Sequence, residues 1–118
     1  MDHWVTQLFR SVDNMDSDGF ATFLADDANF KFGNADVVAG REQVGKAVAD
    51  FFGSIKALHH DVLNVWEVPG TVVTELRVTY TRKDGKKVSV PCVNLFGMQG
   101  TKIRDYKIFI DITPVYAQ

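Results

Sequence analysis

The residues best suited to proton chemistry form one short cluster, His59-His60-Asp61, in a chain that has only three histidines. An imidazole acts near neutral pH as a general base or as a metal ligand. Neighbouring residues of a strand point to opposite faces, so His59 and His60 cannot both bind one metal ion, and we expect no metal site. His60 is therefore a candidate for moving a proton. The alternative interpretation is an inward histidine held by backbone carbonyls.

Two tyrosines and one asparagine are the other candidates for a catalytic role. Tyr80 and Tyr106 alternate with apolar residues, and a buried tyrosine brings an apolar ring together with a hydroxyl that needs a partner. We assign Tyr80 or Tyr106 as the donor to a carbonyl or enolate oxygen and Asn94 as an orienting group. Hydroxyls that are merely bonded to backbone carbonyls would look the same in the sequence.

Two further features of the sequence argue against a bound cofactor. The single cysteine, Cys92, lies between Pro91 and Val93, a context that suits a small buried hydrophobe better than a reactive thiolate. The segment 40–46 matches the first seven positions of a phosphate-binding loop, but Ala47 stands where a serine or threonine must hold magnesium. We therefore expect neither a bound nucleotide nor another cofactor.

Helical periodicity occupies the first half of the chain. Val5, Leu8, Val12 and Met15 predict a helix from about residue 3 to 15. Asp16 caps a short second helix with an apolar face of Phe20, Phe23 and Leu24, and Asp26-Asp27 is read as a break before an extended piece from Ala28 to Phe32. The third helix follows residue 42, and its apolar positions at steps of three and four are Val44, Ala47, Val48, Phe51, Phe52 and Ile55.

From His59 onward the pattern changes to β-branched and aromatic runs, which are separated by glycine-containing turns. This is typical of an antiparallel meander, with a two-residue hairpin turn at Asp84-Gly85. Three helices, one short early strand and about four longer strands predict an α+β fold in a single domain, residues 1–118. Only the tail, 114–118, is expected to be loose.

The charge pattern excludes two classes of partner. Thirteen basic and fifteen acidic side chains give a formal charge of −2, and the signs are interspersed rather than gathered into a basic stripe. We therefore expect no binding to nucleic acid or to acidic membranes. The sequence has neither a basic start followed by an apolar run nor a stretch near the roughly 18 apolar residues of a membrane span, so we expect a cytoplasmic protein.

Several local strings, taken in order, resemble the SnoaL-like proteins of the nuclear transport factor two-like superfamily, and also resemble ketosteroid isomerase and limonene epoxide hydrolase. The strings are residues 15–20, 23–28, 40–42 and 83–86, and the closing Lys102-Ile103 with Asp111. The resemblance spans nearly the whole chain. It implies three N-terminal helices on a strongly curved, mostly antiparallel sheet, which together form a cone with an internal pocket. It also implies dimerisation through the outer face of the sheet.

The same resemblance places apolar residues where those enzymes keep polar catalytic groups. The isomerase positions fall on Phe32 and near Leu8 and Val93, and the hydrolase positions fall on Leu76, Val78 and Ile108. We expect these six residues to line the pocket. Strand alternation supports this for Leu76 and Val78, which share a face with Tyr80, and for Ile108, which shares one with Tyr106.

Two functions remain open at this point. One is acid/base catalysis, such as isomerisation, cyclisation or dehydration, on a small, mostly apolar molecule that binds in the cone. The other is a non-catalytic binding module or a structural dimer, which the missing carboxylates favour. Phe96 and Phe109 stand among polar residues of the predicted outer face, so we expect a homodimer through that face.

Overall fold

The structure, a computed structural model, describes residues 3–117. Its helices are α1 (Trp4–Asp13), α2 (Ser17–Ala21), α3 (Arg41–Gly53) and α4 (Thr113–Tyr116). Its strands are β1 (Leu24–Phe32), β2 (Val38–Ala39), β3 (Ala57–Val68), β4 (Thr71–Thr81), β5 (Lys87–Gln99) and β6 (Lys102–Ile110). The predicted α+β class, with three helices ahead of the long strands, is confirmed.

The six strands form one curved, open sheet in the order β2-β1-β6-β5-β4-β3. Strand β1 is parallel to β6, and every other neighbouring pair is antiparallel. The pairing shifts register within β1/β6, β3/β4 and β5/β6. Such irregularities bend strands and increase their twist, so they help the sheet to curve round the helices.

The first two helices are fixed by buried apolar residues and by side-chain caps. Val5, Leu8 and Phe9 of α1 are buried, and the His3 side chain accepts a hydrogen bond from the Val5 N–H at the start of the helix. Asp16 caps α2 by accepting from the Gly19 N–H. These caps satisfy backbone donors that a helix cannot pair internally, so short helices can form at these positions. In the third helix, the buried residues are Val44, Val48 and Phe52.

The acidic pair Asp26-Asp27 does not break the chain as expected. Strand β1 begins at Leu24 and runs through both aspartates, and its pairing with β6 is irregular between Leu24 and Asn29. Both carboxylates are exposed and form ion pairs, Asp26 with Arg41 at 3.0 Å and Asp27 with Arg104 at 3.6 Å. The irregular pairing allows two consecutive polar residues to remain in solvent within a strand.

The turn between β4 and β5 is longer than the two residues expected. The Arg82 N–H donates to the Lys86 carbonyl at 2.8 Å, and the Gly85 N–H donates to the Arg82 carbonyl at 2.9 Å. Residues 83–85 therefore form a three-residue loop in which Gly85 has a φ of 87°. A type I turn followed by a left-handed glycine is the usual geometry for such a loop.

The expectation of a loose tail was wrong for most of the segment. Residues Thr113–Tyr116 form the helix α4, in which Val115 is buried. The Tyr116 hydroxyl is 2.8 Å from Ser54 Oγ, which ties α4 to the end of α3. Gln118 lies outside the described residues. None of the helices in residues 3–117 is long and apolar enough to cross a membrane.

Two residues of β5, Phe96 and Val93, lie on the opposite faces of the sheet from those expected. Phe96 was expected on the outer face, but it is fully buried against the helices, with its ring centroid 4.7 Å from that of Tyr106 and 5.2 Å from that of Trp4. The even-numbered positions of β5 face inward, because Phe96 pairs with the inward Tyr106 across the sheet. Val93 therefore faces outward, 37% exposed and paired with Phe109.

Candidate functional site

A cavity of about 230 Å³ lies between the inner face of the sheet and the helices. Most of its wall is apolar, and aromatic and aliphatic side chains contribute to it in equal number. The aromatic residues that line it are Phe20, Phe30, Phe32, Phe51, Phe52, Tyr80 and Tyr106. The third helix covers one side with Ala47, Val48, Phe51 and Phe52, so its strong period places the apolar wall opposite the sheet.

The four residues assigned to catalysis all line this cavity: His60, Tyr80, Asn94 and Tyr106. They come from the four C-terminal strands, β3 to β6, so only the pairing of the sheet brings them together.

The six residues expected to line the pocket separate into three groups. Phe32 and Ile108 line the cavity. Leu8, Leu76 and Val78 are buried in the core but are not part of the cavity wall. Val93 lies on the outer face, so its expected place was wrong, because the odd-numbered positions of β5 point away from the helices.

His60 is held by a carboxylate that sequence reasoning missed. Asp13, the last residue of α1, accepts from the His60 backbone N–H at 3.0 Å through Oδ2 and lies 2.6 Å from His60 Nδ1 through Oδ1. The ring of Phe9 stacks on the imidazole, with ring centroids 4.6 Å apart. An ionised carboxylate can only accept, so in the neutral imidazole Nδ1 carries the proton and Nε2 keeps its lone pair.

Asp13 breaks a local rule of helix stability. A negative charge in the last turn of a helix opposes the helix dipole, whose C-terminal end is already negative. Local rules are broken most often where function requires it. This acidic residue at the C-terminal end of a predicted amphipathic helix is the one signal in the sequence that marked Asp13. Its partner, 47 residues away, can be identified only in the folded chain.

Hydrogen bonds link three of the polar residues in the cavity. Asn94 Nδ2 donates to the Tyr106 hydroxyl at 3.2 Å, and the Cys92 thiol donates to Asn94 Oδ1 at 3.4 Å. Because the Tyr106 oxygen accepts from Asn94, the hydroxyl proton of Tyr106 remains available to another acceptor.

The second tyrosine, Tyr80, has no such partner. Its hydroxyl makes no hydrogen bond to another of the described residues, although the side chain is almost completely buried. Tyr80 therefore offers a donor to whatever enters the cavity.

Burial keeps these groups protonated. Burial raises the pKa of Tyr106 well above its ordinary value, with smaller effects from Cys92 and Tyr80. Burial also raises the pKa of Tyr80, with smaller effects from Cys92, Tyr116 and Asp13, and raises the pKa of Cys92 to about 12. At neutral pH the two phenols are hydrogen-bond donors and the thiol is not a nucleophile.

The cavity wall contains an acidic side chain but no lysine or arginine among the described residues. The acidic residue is Asp36. No group of three or more histidine, cysteine, aspartate or glutamate side chains within residues 3–117 is arranged to hold a metal ion. The arrangement suits proton transfer between a neutral substrate and a histidine–carboxylate pair.

The fold is shared by solved structures of low sequence identity. A hypothetical protein with a ketosteroid isomerase-like fold from Catenulispora acidiphila, solved with trimethylamine, matches with a TM-score of 0.88 and 20% identity over 97% of this chain and 89% of that one. A putative SnoaL-like polyketide cyclase from Jannaschia matches with a TM-score of 0.82 and 24% identity over 95% of this chain and 85% of that one. An epoxide hydrolase from M. tuberculosis matches with a TM-score of 0.79 and 14% identity over 95% and 83%.

Two sequence comparisons were made, one with curated protein sequences and one with models of protein families. No curated protein sequence matches the chain significantly. The model of the SnoaL-like domain matches residues 5–106, which include all but the first residue of the three N-terminal helices, the six strands up to Tyr106 and all four assigned polar residues of the cavity. The chain therefore belongs to the SnoaL-like domain family.

Proposed function

We propose that the cavity binds a small, uncharged, mostly apolar molecule and that His60 moves a proton on it. The observation that carries this proposal is the Asp13–His60 pair, whose nitrogen and oxygen are 2.6 Å apart in the wall of an otherwise apolar cavity. A histidine that only fills space does not need a carboxylate at the end of a helix, where its charge is unfavourable.

The lining supports a neutral ligand. Aromatic and aliphatic side chains favour apolar surface, and the lack of a lysine or arginine among the described lining residues disfavours carboxylates and phosphates. The volume of about 230 Å³ lies just under the roughly 300–1,000 Å³ typical of ligand sites. We therefore expect a ligand of one or two rings.

The polar groups fit the transfer of a proton beside a carbonyl. His60 Nε2 removes a proton from the carbon next to the carbonyl group, so that a C–H bond breaks, an N–H bond forms and the electron pair moves to the carbonyl oxygen. Tyr80 and Tyr106 donate hydrogen bonds to the resulting enolate oxygen, and Asn94 orients Tyr106. Where the substrate has a carbon–carbon double bond next to the deprotonated carbon, the product is a dienolate, and the imidazolium protonates its γ-carbon, which completes an isomerisation.

This mechanism differs from what the resemblance implied for related enzymes. Phe32, Leu76, Val78 and Ile108 occupy the positions that resemblance assigned to polar catalytic groups. The relatives include a putative polyketide cyclase and an epoxide hydrolase. We instead assign the general base to His60 on β3, and the Asp13 carboxylate of α1 contacts the ring nitrogen that does not face the substrate.

Deuterium incorporation from D₂O into 2-cyclohexen-1-one and 1-indanone, followed by NMR, tests the proposal. We expect the protein to accelerate exchange at the carbons next to the carbonyl, and His60→Gln to lower that rate by about 10²-fold or more. His3→Gln is the matched control, because it removes a histidine that pairs with a different carboxylate, Glu67, outside the cavity. Equal rates in His60→Gln and the unmodified protein would contradict the assigned role.

A binding module is the second candidate, and the apolar character of most of the wall favours it. If either ketone binds, as seen by chemical-shift changes of cavity residues, but exchanges no faster than in buffer, this second function is supported.

We also propose that the outer face of the sheet binds a second copy of the chain. An apolar patch on this face, defined here as the outer patch, consists of Trp66, Val73, Val93, Leu95 and Phe109, which lie on neighbouring strands. Trp66 is 52% exposed and Phe109 57%. Side chains of both signs, such as Glu75 and Lys107, pair with patch residues across the strands. Mixed charge around an apolar centre suits a two-fold, self-complementary contact.

A further inference from the structure

Four side chains form an alternating chain of carboxylates and imidazoles from the surface to the cavity. Asp61 Oδ1 lies 3.1 Å from His59 Nε2, His59 Nδ1 lies 3.5 Å from Asp13 Oδ2, and Asp13 Oδ1 lies 2.6 Å from His60 Nδ1. The side chain of His59 is 66% exposed, whereas that of His60 is 9% exposed. The chain therefore connects a solvent-exposed imidazole to a buried one through a shared carboxylate.

His60 borders two separate spaces. One is the cavity, and the other is an outer cleft of about 320 Å³ that is also lined by Asp13 and His59. The two ring nitrogens point to opposite sides of an imidazole, and Nδ1 is directed at Asp13 in the cleft. Nε2 therefore faces away from the cleft, on the side of the ring where the substrate is proposed to bind.

Few other groups that exchange protons lie around these four side chains. Helix α1 contributes Arg10 beside Asp13 in the cleft, and β4 contributes Tyr80 in the cavity and Arg77, which pairs with Asp61 across the strands. Arginine does not release its proton near neutral pH. Burial raises the pKa of Tyr80, so its phenol also keeps its proton. His59 is thus the group placed to exchange protons with solvent.

We propose that His59 and Asp13 relay protons between His60 and solvent. This inference rests on the proposed function of His60. When Nε2 takes a proton from the substrate, an N–H bond forms there and the Nδ1–H bond breaks, and that proton passes to Asp13 Oδ1. The protonated carboxyl of Asp13 then turns so that this O–H faces His59, whose Nδ1 lies 3.5 Å from the nearer carboxylate oxygen. The O–H bond breaks as an N–H bond forms at His59 Nδ1, and His59 Nε2 loses its proton to bulk water. Each step makes one bond to hydrogen and breaks another.

The second oxygen of Asp13 makes this different from a carboxylate that only orients a histidine. In an orienting pair the carboxylate has no outlet and stays ionised. Here its other oxygen lies beside an exposed imidazole, which returns the carboxylate to its ionised form. The proton that leaves for solvent is the one that Nδ1 carried, whereas the substrate's proton stays on Nε2 until a proton comes back along the relay to Nδ1.

Exchange of the His60 Nδ1 proton with water, measured by NMR on protein with ¹⁵N-labelled histidine, tests the relay without any substrate. We expect His59→Gln to slow this exchange by about 10²-fold, since glutamine can keep the contacts but cannot carry a proton. Added imidazole buffer should restore the rate in His59→Gln. The control His3→Gln should exchange as the unmodified protein does.

The outcomes separate this inference from the proposed function. Equal exchange rates in His59→Gln and the unmodified protein would overturn the relay, even if ketone exchange is catalysed. Slowed exchange with imidazole rescue would support the relay even if neither ketone is a substrate. Slowed exchange without rescue would also count against it, because a purely structural effect of the substitution is not repaired by a soluble proton carrier.

Discussion

Removing the Asp13 side chain should cost more stability than is usual for a residue at the end of a helix. Asp13→Ala deletes two hydrogen bonds to His60, one at 2.6 Å to the ring and one at 3.0 Å to the backbone N–H. A hydrogen bond to a charged group contributes about 1.5–3 kcal/mol. Loss of the negative charge from the C-terminal end of α1 returns about 0.3–1 kcal/mol. Two such bonds would cost about 3–6 kcal/mol, but the side chain of Asp13 is 19% exposed, which keeps both near the lower end of that range. We expect a net destabilisation of about 2–4 kcal/mol.

Asp13→Asn provides a graded comparison. The amide keeps one oxygen that accepts a single hydrogen bond, but its NH₂ group faces the other donor of His60. The substitution also removes the unfavourable charge at the helix end. We therefore expect a loss of about 1–2 kcal/mol, roughly half that of Asp13→Ala.

Urea unfolding followed by far-ultraviolet circular dichroism measures both variants. A double-mutant cycle with His60→Ala isolates the bond between the carboxylate and the ring, because the backbone bond survives in His60→Ala. We expect a coupling free energy of about 1–2 kcal/mol between the two side chains. A coupling near zero, together with a cost below about 0.5 kcal/mol for Asp13→Ala, would refute the conclusion that Asp13 holds His60 in place.

Further predictions concern the buried thiol, the buried phenol and the outer patch. Because burial raises the pKa of Cys92 to about 12, iodoacetamide at pH 8 should alkylate it about 10³-fold more slowly in the folded than in the urea-unfolded chain, and equal rates would contradict this. The raised pKa of Tyr106 contributes stability that is complete below the ordinary tyrosine pKa of about 10 and lost at higher pH. Urea unfolding at pH 8 and pH 11 should therefore show a smaller alkaline loss for Tyr106→Phe than for the unmodified chain. Light scattering at micromolar concentration should give a dimer for the unmodified chain and a monomer for Phe109→Lys, and a monomer in both would remove the proposed dimer.

The sequence predicted which segments become helices and strands because those patterns are local. The stripe of Val44, Val48 and Phe52 indicates one buried helical face, and the alternation around Tyr80 and Tyr106 indicates strands with one face inward. The order of these segments gave the α+β class. Where local patterns were ambiguous the predictions were wrong, as for β1, where the pairing with β6 stabilised a strand through two aspartates.

Only the tertiary structure could decide which face each β5 residue takes and which side chain supports His60. Polar and apolar residues occur on both faces of β5, so its orientation depends on pairing with β6, which buries Phe96 and exposes Val93. Asp13 and His60 are 47 positions apart, and their contact depends on how α1 packs on the edge strand β3. The residue type alone indicated that His60 could transfer protons. Its contact with Asp13, and the contact of Asp13 with His59, depend on packing between distant segments.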